Sequence, residues 1–107
     1  MTGRLQIAEN FLQDAVNNEM SLRSREDCAF NAGYLCALEA IPSSFSERLE
    51  HPSRLALRAA ARCLGLDMAV MEPALTFIRE QYSPTRDGRN VEALLAWALL
   101  MKKAVSK

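Results

Sequence analysis

Lysine is nearly missing from this sequence. Only Lys102, Lys103 and Lys107 occur, and arginine supplies the rest of the positive charge. The thirteen basic residues are matched by thirteen acidic ones, so the formal net charge is zero. A protein that grips duplex DNA draws its affinity from neutralised phosphates and normally carries a basic excess. Duplex DNA is therefore not an expected partner. Glycine and proline are scarce, four of each, which excludes the turn-rich text of an all-β domain. Cysteine is limited to Cys28, Cys36 and Cys63. An odd count without a C-x-x-C pair argues against a disulfide framework and fits free, buried thiols in a reducing compartment. Histidine occurs once, at His51. The apolar helical settings of the cysteines leave no metal-ligand spacing around it. There is no glycine-rich phosphate loop, and no cofactor is expected. The longest apolar run, Ala93 to Met101, falls short of the about 20 residues a membrane span requires. The first residues lack an apolar signal core. These absences together predict a cytoplasmic protein with no membrane association.

What the sequence does have is apolar residues, half of the 107, with Ala, Leu, Arg and Glu prominent. That balance predicts a single all-α domain over residues 1–107. Leu5, Ala8, Leu12 and Ala15 repeat at helical spacing, predicting a first helix over Arg4 to Met20. Ser24, with Asp27 three residues on, reads as the cap of a second. From Cys28 to Ile41 this helix is apolar on nearly every side, and Pro42 stops it. Ser53 caps a third helix that ends at Gly65. Asp67 opens a further segment, and Pro73 either kinks it or marks the true start of Ala74 to Tyr82. The Asp87-Gly88 pair marks a turn. Asn90 caps a last helix running to about Val105. The expected architecture is an up-and-down antiparallel bundle of four main helices, its third-to-fourth region broken near Gly65 and Pro73.

Two groups of residues are candidates for binding. Arg54, Arg58 and Arg62 recur every fourth residue and so form one guanidinium stripe. Such a stripe suits an anion, a nucleotide or an acidic partner; equally, it is what a solvated face paired with acidic neighbours looks like. Asn31 and Glu39 interrupt the apolar second helix. If buried they need hydrogen bonds, and Glu39 needs a cation, for which Arg79 is the candidate. The two helices that are apolar nearly all round, Cys28–Ile41 and Ala93–Met101, exceed what one small monomer is expected to cover. A homodimer follows, with Trp97 expected at the association surface.

The run AFNAGYLCALEAI is similar to the second helix of HEPN-type domains. The segment ALTFIREQYSPTRDGRNVEALLAWALLMKKAV resembles their later half, with an Arg three residues before a Tyr, an irregular loop and a final helix. The resemblance implies an up-and-down helical bundle, commonly dimeric, in a family rich in ribonucleases and toxins that often act beside a nucleotidyltransferase-type antitoxin. The family's catalytic signature is an Arg followed four to six residues later by a His. Here Ser44, Phe45 and Ser46 stand where that Arg would have to lie upstream of His51. Arg48 is too close, and no His follows Arg79, so no catalytic residue carries over. Arg79 and Tyr82 match the shared pattern. The resemblance therefore implies a non-catalytic member that works by homo-association and by binding a protein or nucleotide partner. The alternatives are an RNA-cleaving toxin with a divergent site built on Arg48 and His51, or a small-ligand sensor centred on Asn31, Glu39 and Arg79.

Overall fold

The computed structural model describes residues 3–42 and 53–106. Among the described residues the chain is all-helical, without a strand. It runs α1 (Gly3–Ala15), α2 (Leu22–Ala40), α3 (Arg54–Leu64), a 3-10 turn (Met68–Met71), α4 (Glu72–Glu80) and α5 (Val91–Val105).

The first helix stops at Ala15, five residues before the sequence-based limit. The Asn17 side chain accepts from the Glu19 N–H at 3.0 Å, and this local bond competes with helix continuation. Arg25 Nε donates to the Ala15 carbonyl at 2.8 Å, satisfying an acceptor that the helix end leaves unpaired. The cap of α2 is Ser21 rather than Ser24. Ser21 Oγ accepts from the Ser24 N–H at 3.1 Å, so the helix begins one turn early. Asp27 leaves the expected capping role and binds Arg86 instead. At the far end Ile41 is extended, as a residue before proline must be.

Serine, glycine and proline act as their chemistry dictates further along. Ser53 Oγ accepts from Leu55 N–H at the start of α3, and Gly65 closes that helix in the left-handed conformation. Asp67 caps the 3-10 turn through Ala69 N–H at 2.9 Å. Pro73 falls in the first turn of α4, where a missing N–H costs nothing. The break expected near Gly65 and Pro73 is thus a change of helix.

Helix α2 is the axis of the fold. It packs antiparallel on α1, with Arg4 bonded to the Leu38 carbonyl at one end and Arg25 to Ala15 at the other. Helix α5 lies along it in the same direction: Glu26 meets Asn90, and Gly33 meets Trp97. Helix α4 runs opposite to α5, from Met71 at the level of Trp97 to Glu80 at the level of Asn90. Tyr34 ties in α3 by accepting from the Ser53 N–H at 3.1 Å.

The closest approach is at Gly33. A Cβ there would stand 2.2 Å from Trp97 Cζ3, so only glycine lets the indole lie against the α2 backbone. Trp97 Nε1 donates to Met71 Sδ at 3.3 Å. Phe30 stacks on Phe77, with centroids 4.2 Å apart, and packs against Tyr34 and Trp97. Aromatic pairs of this kind add about 0.5–1.5 kcal/mol each beyond the area they bury.

Two expectations change here. Helix α2 needs no second subunit for cover, because Ala29, Phe30, Ala32, Tyr34, Cys36 and Ala37 are all buried within one chain. Trp97, 3% exposed, is a core residue and not part of an association surface. Helix α5 does keep an uncovered outer side, where Ala93, Ala96, Leu99 and Leu100 face solvent. No described helix is long and apolar enough to cross a membrane.

Candidate functional site

The residues singled out from the sequence do not converge. Arg54, Arg58 and Arg62 are all exposed on the outer side of α3, opposite buried Ala56, Leu57, Ala60 and Ala61. None of the three is ion-paired within the described residues, so acidic neighbours do not match the stripe there. Asn31 is exposed. Glu39 takes Arg4 as its cation, at 3.6 Å, and not Arg79. Arg79 donates instead to Thr76 Oγ1 on its own helix, near the opposite end of the fold. Tyr82 of the family-like pattern is almost wholly exposed. His51 and Arg48, on which a nuclease site would rest, lie outside the described residues, as do Ser44, Phe45 and Ser46.

The cysteines separate by depth. Cys36 is fully buried, and its removal from water raises the thiol pKa from 9.0 to about 11. Cys28 is half-buried, and Cys63 is exposed on α3, against the expectation that all three are core. Among the described residues no cluster of three or more His, Cys, Asp or Glu side chains is arranged to hold a metal ion.

The polar chemistry gathers where α2 and α5 begin. Glu26, one turn into α2, is 1% exposed and is the one charged residue buried among those described. Its carboxylate accepts from the Asn90 N–H at 3.1 Å. Asn90 sits at the head of α5 but makes no side-chain cap bond. A carboxylate from α2 therefore serves the first turn of α5, where the helix dipole favours negative charge. Arg86 lies against the same group. Its Nη1 is 3.4 Å from Glu26 Oε1 and donates to Asp27 Oδ1 at 2.8 Å. Its guanidinium stands over the Phe77 ring, 5.1 Å from the centroid.

Burial raises the Glu26 pKa, with the Asn90 hydrogen bond and the Arg86 charge opposing the shift. The upward direction holds because desolvation of a nearly inaccessible carboxylate is the largest influence. Outside, on the surface, Arg89 donates two bonds to Asp87 at 3.0 Å, and these bonds lower the Asp87 pKa.

Gly88 positions the loop that carries Arg86. It holds φ of +82°, and a Cβ there would stand 2.5 Å from Leu22 Cβ. The Asp87-Gly88 turn thereby presses on the first residue of α2 and delivers Arg86 to Glu26. Glu26, Arg86, Asp87 and Arg89, with Thr76 and Glu80 from α4, line an open cleft of about 310 Å³.

One feature of the cleft is chemically incomplete. The Arg86 side chain is 6% exposed, yet its Nε has no hydrogen-bond partner and is enclosed. Nη2 also lacks an acceptor among the described residues. An enclosed donor left unpaired costs about 1–3 kcal/mol, so the arrangement stores an unmet demand for an oxygen acceptor. Sequence reading passed over Glu26 and Arg86 as a pair. The available signals were an acidic doublet opening an apolar helix and an arginine beside a glycine turn. Nothing local joins two residues sixty positions apart. No family model matches the chain, and neither a curated protein nor a solved structure matches it.

Proposed function

We propose that this chain is a non-catalytic, HEPN-like helical domain that works by binding, with the cleft between the end of α4, the loop before α5 and Glu26 of α2 as its site. In this reading the four main members of an up-and-down bundle are α1, α2, the region of α3 and α4 broken near Gly65 and Pro73, and α5. The small-ligand reading is retained with its centre moved, from Asn31, Glu39 and Arg79 to Glu26 and Arg86. The observation that carries it is the enclosed guanidinium of Arg86, held by Phe77 and two carboxylates and left short of acceptors. Structural ion pairs normally satisfy their donors; a binding site keeps some free. A thermal-shift screen over nucleotides and small metabolites tests the proposal, because a ligand specific for the folded state raises the melting temperature. The hit should be lost in Arg86→Lys, which keeps the charge but not the planar fork. A screen without a hit would count against the cleft.

Homo-association is the second reading, favoured by Leu99 and Leu100, 51% and 41% exposed on α5 beside Ala96. Introducing Asp at both leucines should dissociate a dimer in sedimentation equilibrium. A wild-type protein that stays monomeric at high micromolar concentration would remove this reading. A protein or nucleotide partner and a cytoplasmic setting remain part of the proposal.

A further inference from the structure

We infer that the cleft takes a small zwitterion, an α-amino acid or a close amine-and-carboxylate relative, a conclusion that rests on the binding reading. Three observations lead there.

The first is the shape of the unmet demand. Arginine donates from two edges, and the edge formed by Nε and Nη2 presents two nearly parallel N–H groups that match the two oxygens of a carboxylate. In Arg86 the Nη1 end is spent on Asp27 and Glu26, while Nε and Nη2 are without acceptors among the described residues. Contact with Phe77 fixes the guanidinium before any ligand arrives. Because Nε is enclosed, the first contact falls on Nη2. Nη2 is thus the donor the cleft offers, with Nε beside it on the same edge.

The second is the balance of charge. Three carboxylates, Glu26, Glu80 and Asp87, line the cleft against two guanidinium groups, Arg86 and Arg89. Glu80 makes no close ion pair within the described residues, and the cation that acts on it is Arg89, which is already bound to Asp87. A phosphate dianion would meet this acidic excess without compensation. A monocarboxylate that also carries an ammonium group gives Arg86 its acceptor and Glu80 its cation.

The third is size. About 310 Å³ stands at the lower limit of small-molecule sites, which run from roughly 300 to 1,000 Å³. The space suits an amino acid better than a nucleotide.

The test uses the full chain, melted and titrated with the common L-amino acids at millimolar concentration. Acetate, methylammonium and inorganic phosphate serve as single-charge probes. The side-chain Nε–H resonance of Arg86 is followed by nitrogen-edited NMR. At least one amino acid should raise Tm and move that resonance, and should do both more than acetate or methylammonium. Glu80→Gln, at an exposed position that spares the fold, should weaken amino-acid binding about tenfold and leave acetate unchanged. Arg86→Lys, checked for folding by circular dichroism, should abolish both. Binding of phosphate or a nucleotide at Arg86 with amino acids silent would overturn the zwitterion and leave the binding reading standing. Silence of every probe on the folded wild type would overturn both.

Discussion

Helices α2 and α5 pack along much of their length, and two of the places where they are joined are built in opposite ways. At Gly33 and Trp97 an indole lies directly on a helix backbone, its one polar hydrogen is placed on Met71, and no space is left. About two turns away, at Glu26 and Arg86, the same helices are joined by buried charges, a loop and a cleft. The first contact holds the chain together. The second spends stability on polar groups whose bonding is unfinished, which is how folded proteins treat sites reserved for something else.

Four experiments set these contacts against each other. The largest expected loss comes from Trp97→Ala, about 3–5 kcal/mol in urea unfolding, because the surrounding helices cannot close on the void. Arg86→Ala should cost about 3 kcal/mol near neutral pH by leaving the Glu26 carboxylate buried without its cation. That penalty should shrink in acid, where Glu26 takes up a proton. Gly33→Ala should cost about 1–3 kcal/mol by driving a methyl into the indole; a neutral result would mean that the Trp97 contact is looser than it stands. The smallest effect belongs to Glu26→Gln. Because the folded pKa of Glu26 lies above its ordinary value of 4.5, its contribution is fully present below about 4.5 and is lost as pH rises through the raised value. Glutamine, neutral throughout, should remove that slope from a series of unfolding curves across mildly acidic to neutral pH.

The fold was legible wherever the signal is local. Ser53, Gly65 and Pro73 each act within a turn of their own position, and the structure places them where their chemistry predicts; Asn90 stands at the head of α5 as expected but makes no side-chain cap, and Glu26 accepts from its N–H instead. Ser24 with Asp27 looks like the better cap in the sequence; in the structure Ser21 takes that role and Asp27 accepts from Arg86. Helix α1 was read too long because apolar spacing continues through Val16 while Asn17 turns the chain. The cover of α2 was underestimated, since periodicity counts the apolar faces of a helix and not the neighbours available to them. The arginine stripe on α3 has a repeat and is easily seen, yet it lies on the surface. Arg86 has no repeat, and its significance comes wholly from what a distant glutamate and a phenylalanine place around it.

Trp97 also gives the molecule a built-in reporter. It is the single tryptophan of the chain, sealed in the core and seven residues, or about 10 Å along α5, from Asn90. Its fluorescence should be that of an indole shielded from water, and should shift to the red only when α2 and α5 part. Filling of the cleft should leave that emission colour nearly unchanged. Loss of the fold and occupancy of the site are thus separable by light in the unmodified protein, without a label.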